Sequence, residues 1–140
     1  MRVMVLVKAT GDSETGNMPS SERLQEMGEY NARLIEAGIM QTGEGLKPSA
    51  EGKRIAFDGD ERKVIDGPFS ATSELVAGFW LWQVRDMDEA VEWARQCPNP
   101  MPGPSELEIR PIFEAEDFGE ALTPEVAELH DRNREQLGGR

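Results

Sequence analysis

The run Arg2-Val3-Met4-Val5-Leu6-Val7-Lys8 limits the possible folds of this chain more than any other stretch. Its five inner residues are all apolar, where a strand with one wet face would alternate apolar and polar. Such a strand needs cover on both faces, which places it in the middle of a sheet. A second run, Gly78-Phe79-Trp80-Leu81-Trp82-Gln83-Val84-Arg85, is the strongest strand signal in the sequence. The 140 residues, 38% hydrophobic and 30% charged, amount to about one globular domain whose core needs no staples. Cys97 is the only cysteine, so no intrachain disulfide exists; ahead of Pro98 at an expected helix end, it reads as a buried, inert thiol.

The rest of the chain fills in around these strands. Ala9 to Pro19 is rich in Thr, Gly, Asp, Ser and Asn and reads as a long loop. From about Ser20 the period becomes helical, with Leu24, Met27, Asn31, Leu34, Ile35 and Gly38 on one face and Gly38 as the cap. Ile39-Met40-Gln41-Thr42 and Leu46 suggest a strand. Lys53 to Phe57 and Arg62 to Ile65 flank Asp58-Gly59-Asp60-Glu61 as a hairpin. Asp66-Gly67-Pro68-Phe69 then punctuates the chain before the tryptophan strand. Asp86 with Glu89 forms a capping-box pattern that opens a second helix, whose inner face is Met87, Ala90, Val91, Ala94 and Cys97. Glu106 to Phe113 alternates as a strand with Leu107 and Ile109 facing in. Thr123 and Pro124 start a final helix with a thin apolar stripe, Val126 and Leu129. The order β-α-β-β(β)-β-α-β predicts an α+β class, ferredoxin-like split βαβ arrangement with an extra C-terminal helix. Residues 1–140 are expected to form a single domain, with a core over 1–113 and an acidic helical extension over 114–140.

Charge sorts the partners. Asp and Glu outnumber Lys and Arg by 27 to 15, a net charge of −12. Nucleic acid is excluded as a partner, because a polyanion is bound through clustered cations that release its counterions. Anionic membrane surfaces are disfavoured for the same reason. The apolar start of the chain is too short for a signal-peptide core or a membrane span, so a cytoplasmic location is expected. A small anion remains compatible with a local Arg.

At this level the residues match a family. Met4-Val5-Leu6-Val7, Glu36-Ala37-Gly38, Gly45-Leu46-Lys47-Pro48, Asp66-Gly67-Pro68-Phe69 and Gly78-Phe79 occur in order. Asp88-Glu89-Ala90, Trp93-Ala94, Cys97-Pro98 and Glu108-Ile109-Arg110-Pro111-Ile112 complete the set. Over nearly its full length the chain resembles the DGPF branch of the YCII-related proteins. The resemblance implies a dimeric α+β barrel, in which two ferredoxin-like subunits pack sheet against sheet as a homodimer. It implies no established activity, although some members of the wider group carry a His–Asp pair in a cleft. Two departures bear on chemistry. Where the family continues Ala-Glu-Thr-Lys-Glu after the tetrapeptide, this chain reads Ser70-Ala71-Thr72-Ser73-Glu74, so a Glu and a Lys are lost. The only histidine, His130, falls in the C-terminal helix, where the family has none.

The candidate catalytic residue is Asp66, read either as a turn former or as a general base whose pKa would be raised by an apolar cleft. Candidate ligand-binding residues are Arg54 and Arg110 as anion anchors, and Phe69 and Trp80 as apolar walls. Trp82, on the same face as Trp80, and Tyr30 read as packing residues. No paired Cys/His spacing indicates a metal, no Walker sequence a nucleotide, and Gly43-Glu44-Gly45 lacks the third glycine and following helix of a dinucleotide fingerprint. No cofactor is expected. Two functions remain open: a dimeric small-molecule-binding or accessory domain, and a cofactor-independent lyase or isomerase with Asp66 as base.

Overall fold

The computed structural model describes residues 1–70 and 72–138. Six strands, four α-helices and three short 3-10 helices appear among them. β1 (Arg2–Lys8), β2 (Met40–Gly45), β5 (Val76–Gln83) and β6 (Leu107–Pro111) form one sheet in the order β2-β5-β1-β6, with every neighbouring pair antiparallel. β1 is therefore central, as its apolar run requires. The crossovers that join β1 to β2 and β5 to β6 carry α2 (Ser21–Glu36) and α3 (Met87–Arg95), which completes the ferredoxin-like α+β arrangement. β3 (Lys53–Asp58) and β4 (Glu61–Asp66) form a separate two-stranded sheet.

The core lies between the sheet and the two helices. In register, Val3 opposes Trp82 and Val5 opposes Trp80, and all four are buried against Tyr30 and Leu34 of α2 and Ala90 of α3. Tyr30 meets Trp80 edge to face at 6.0 Å, a favourable quadrupole geometry. Its hydroxyl donates to the Trp93 carbonyl at 2.6 Å and so ties α2 to α3. Burial pushes the Tyr30 hydroxyl pKa up, which keeps it a neutral donor. The opposite face of the sheet carries Met4, Leu6, Phe79 and Leu81, each half-buried, with no helix of the described residues in the core cluster on that side.

Several local expectations shift. The packed stripe of α2 runs through Met27, Tyr30 and Leu34 rather than through Leu24 and Ile35, which are exposed. The large ring of Tyr30 needs the central position, and turning it inward rotates Leu24 and Ile35 away. Val91 is likewise exposed on α3, where Trp93 packs against the core instead. Within the expected loop, one helical turn, α1 (Gly11–Glu14), is closed by a reciprocal Thr10–Ser13 capping box. Asp86 caps α3 through the Glu89 amide at 2.9 Å, while the Glu89 carboxylate takes the Arg85 N–H and not that of the cap itself. α4 (Pro124–Gln136) starts at the Thr123 cap and buries none of its residues. No helix of the described residues is long and apolar enough to cross a membrane.

Candidate functional site

The helix-covered face of the sheet does not fill completely at the end where β1 finishes. There a cleft of about 750 Å³ opens beneath the first half of α2. Its floor is Val7, Gly43, Gly78 and Trp80, so three neighbouring strands contribute. Leu24, Met27 and Asn31, at helical spacing on α2, form one wall, and Met18 and Met101 contribute from the flanking loops. Thioethers adapt to irregular apolar surfaces, so this lining suits a small organic ligand without dictating its shape.

Hydrogen bonds pin the walls. Trp80 Nε1 donates to Asn31 Oδ1 at 2.9 Å, which fixes the indole plane along the floor. Gly43 makes that plane possible, because a Cβ there would stand 2.7 Å from Trp80 Cδ1. Arg23 Nη1 donates to the carbonyls of Asn99 and Met101, each at 2.7 Å, and so binds the start of α2 to the proline-rich connector before β6. Polar groups are sparse: Asp12, Arg23, Asn31, Glu44 and Lys47 are the main ones. Among the described residues no three His, Cys, Asp or Glu side chains converge as a metal site.

Of the residues singled out in the sequence, Trp80 lines the cleft, and Asp66, Arg54, Phe69 and Arg110 do not. Asp66 ends β4, with its side chain 73% exposed and its Oδ1 2.5 Å from Lys53 Nζ. Arg54 and Phe69 are brought together, but with each other: the guanidinium lies 3.8 Å from the ring centroid. Arg110 is exposed on β6 beside Glu108, at 3.3 Å. His130 is exposed on α4. Burial raises the Cys97 thiol to about 11, so it stays protonated and unreactive at neutral pH.

The tetrapeptide Asp66-Gly67-Pro68-Phe69 serves as the base of the β3–β4 hairpin. Gly67 N–H donates to Gly52 O at 3.0 Å, joining the two ends of the hairpin. A Cβ on Gly67 would stand 1.8 Å from Ser49 O, so the glycine is dictated by close approach and not by a positive φ. Phe69 N–H donates to Ser49 Oγ at 3.0 Å, and Ser49 in turn donates through its hydroxyl and its amide to the Glu14 carboxylate. The hairpin base is thereby latched to α1, whose own residues Asp12 and Ser13 line the cleft. Ala71, where the family has a Glu, lies outside the described residues. Arg23 and Met101 carried no sequence signal of a site. Asn31 did, as a polar residue set within the apolar face of a helix that also carries Met27.

The landmarks of the sequence agree with a known family. The model of the YCII-related domain matches residues 1–116, which takes in both sheets and α1 to α3 and stops short of α4. An uncharacterized protein of Rhizobium meliloti (strain 1021) is 29% identical over 89 residues, 64% of this chain and 72% of that one. With the central strand, the crossover helices and the latched tetrapeptide all inside the matched span, the chain belongs to the family of the YCII-related domain.

Proposed function

We propose that the protein is a homodimeric, cytoplasmic small-molecule-binding domain that holds an organic ligand in the cleft under α2 without transforming it. The observation that carries this reading is the cleft itself: about 750 Å³, mostly apolar, with few polar groups and with walls fixed by the Asn31–Trp80 and Arg23–carbonyl bonds. The lyase or isomerase alternative loses support, because its base, Asp66, sits on the hairpin beside Lys53 and away from the cleft. A second copy accounts for the sheet face that carries Met4, Leu6, Phe79 and Leu81, since the unbroken apolar run of β1 calls for cover on both sides. A single cysteine that forms no disulfide fits a reducing compartment.

A thermal-shift screen of small carboxylates and phenols tests the binding reading. At a ligand concentration 100 times its Kd, native-state binding raises Tm by roughly 5–10 °C for a chain of this size. Leu24→Glu, which places a charge at the cleft wall, is expected to abolish the shift. The proposal fails if no compound shifts Tm, or if the shift is undiminished in that variant.

A further inference from the structure

We infer that the β3–β4 hairpin is an arm that docks on residues 113–120 of a second copy of this chain. The inference rests on the proposed homodimer and adds to it the surface that specifies the pairing. Every residue of both hairpin strands is exposed, Phe57 by 72%. One face holds Ile55, Phe57 and Val64 side by side in register, with Arg62 stacked 4.6 Å from the Phe57 ring centroid. A two-stranded hairpin alone in water is at best marginally stable, so an apolar face of this kind needs a cover.

The complementary surface lies at the opposite end of the same molecule. Phe113, 71% exposed, stacks on Phe118 at 5.2 Å, and the same short segment carries the exposed Glu116 and Glu120. Among the described residues Arg62, on the same face as Phe57, makes no salt bridge, and neither do Glu116 and Glu120. Arg62 donates only to the carbonyls of Gly59 and Glu61. An aromatic and cationic patch thus exists alongside an aromatic and anionic one, in a chain whose net charge of −12 makes such cations scarce.

Topology prevents the two patches of one copy from meeting. The hairpin is latched through Ser49 to Glu14, beyond the end of β1, whereas Phe113 follows Glu108–Ile112, whose last amide bonds Arg2 at the start of β1. A strand of seven residues separates those ends by about 20 Å. A two-fold axis running across the strands brings the end of one sheet beside the beginning of its partner. Each arm then meets the other copy's phenylalanine pair, in an isologous contact where both patches are used twice.

Charge reversal tests this directly. The chain carrying Arg62→Glu, and the chain carrying Glu116→Lys with Glu120→Lys, each place like charges at both contacts of their own homodimer. By sedimentation at micromolar concentration, each alone is expected to dimerise at least roughly tenfold more weakly than the wild type, and the equimolar mixture to regain wild-type dimerisation as a heterodimer. Circular dichroism establishes first that both chains are folded. Phe57→Ala, which leaves the charges intact, is also expected to weaken the dimer. The arm inference is overturned if either reversed chain dimerises like the wild type, or if mixing restores nothing. Leu81→Asp on the open sheet face separates the two ideas: a wild-type dimer broken by Leu81→Asp but indifferent to the arm variants leaves the homodimer standing and removes the arm. A wild type that sediments as a monomer removes both, while ligand binding stays open to the thermal-shift screen.

Discussion

The central sheet and the β3–β4 hairpin are built from similar residues and solve opposite problems. In β1 and β5, Val3, Val5, Trp80 and Trp82 lie buried beneath two helices, and fit between ring and chain holds them in place. In β3 and β4, Ile55, Phe57 and Val64 are just as apolar and touch water. Hydrophobic residues in a strand therefore do not locate the core by themselves. What distinguishes the regions is the crossover helix: β1 and β5 are each followed by an amphipathic helix that returns over the sheet, and β3 is followed only by a tight turn. The hairpin is held from its base, by the Gly52–Gly67 bond and by the chain of Phe69, Ser49 and Glu14.

Deleting one large ring from each region breaks the symmetry of that comparison. Trp82→Ala leaves a cavity among fully buried neighbours and is expected to cost about 3–5 kcal/mol of unfolding free energy by denaturant titration. The loss is partly offset because the buried Trp82 Nε1 finds no acceptor among the described residues and its removal relieves that cost. Phe57→Ala, measured at submicromolar concentration to keep the chain monomeric, is expected to change stability by less than about 0.5 kcal/mol. Comparable losses from the two would mean that the hairpin packs on its own body, and would remove the free face on which the docking inference stands.

Breaking the hairpin at its base is expected to give an intermediate effect. In Gly67→Ala the new methyl cannot coexist with Ser49 O at 1.8 Å, so the loop has to move. The cost is bounded by the bonds at the base, which the rest of the molecule survives losing, and amounts to about 2–3 kcal/mol. Hydrogen exchange locates it. Amide protection is expected to fall at Phe69 and across 53–66, and to remain unchanged in β1 and β5, as for a unit that opens on its own. Equal deprotection of β1 would show the two sheets to be one cooperative unit.

The fold was far more legible in the sequence than the site, for a physical reason that particular residues make plain. The apolar run of β1, the hairpin turn at Gly59, the Asp86 and Thr123 caps and the alternation of β6 are local signals, set by neighbours in the chain. The cleft is not local. It forms where Val7, Gly43, Trp80, Asn31 and Met101 meet, drawn from five separate elements and connectors, and only Trp80 among them is a ligand-binding candidate by sequence. Asp66 and Phe69 drew attention because their tetrapeptide is distinctive, yet that distinctiveness reflects a close backbone approach at Gly67 and a latch to Ser49. Arg54 and Arg110 were plausible anchors by residue type, but strand register turned one onto Phe69 and the other toward Glu108.

The smallest effect expected is a pH dependence at the end of the sheet away from the hairpin. Glu114 accepts from Arg2 Nε at 2.9 Å and from Nη2 at 3.2 Å, and this bidentate contact holds its carboxyl below the usual carboxylate range. A carboxyl whose pKa is lower in the folded chain than in the unfolded one adds stability at pH values above its unfolded pKa. That contribution is lost as the pH falls through the folded pKa. Between pH 7 and pH 5.5 the wild type and Glu114→Gln are therefore expected to melt in parallel, offset by a constant amount. Below about pH 4.5, where an ordinary Glu begins to protonate, the gap is expected to narrow. Because the pair is partly exposed to solvent, the offset should also shrink in high salt. A gap that stays constant down to pH 3 would mean that the Glu114 side chain acts through its shape and neutral hydrogen bonding, and not through its charge.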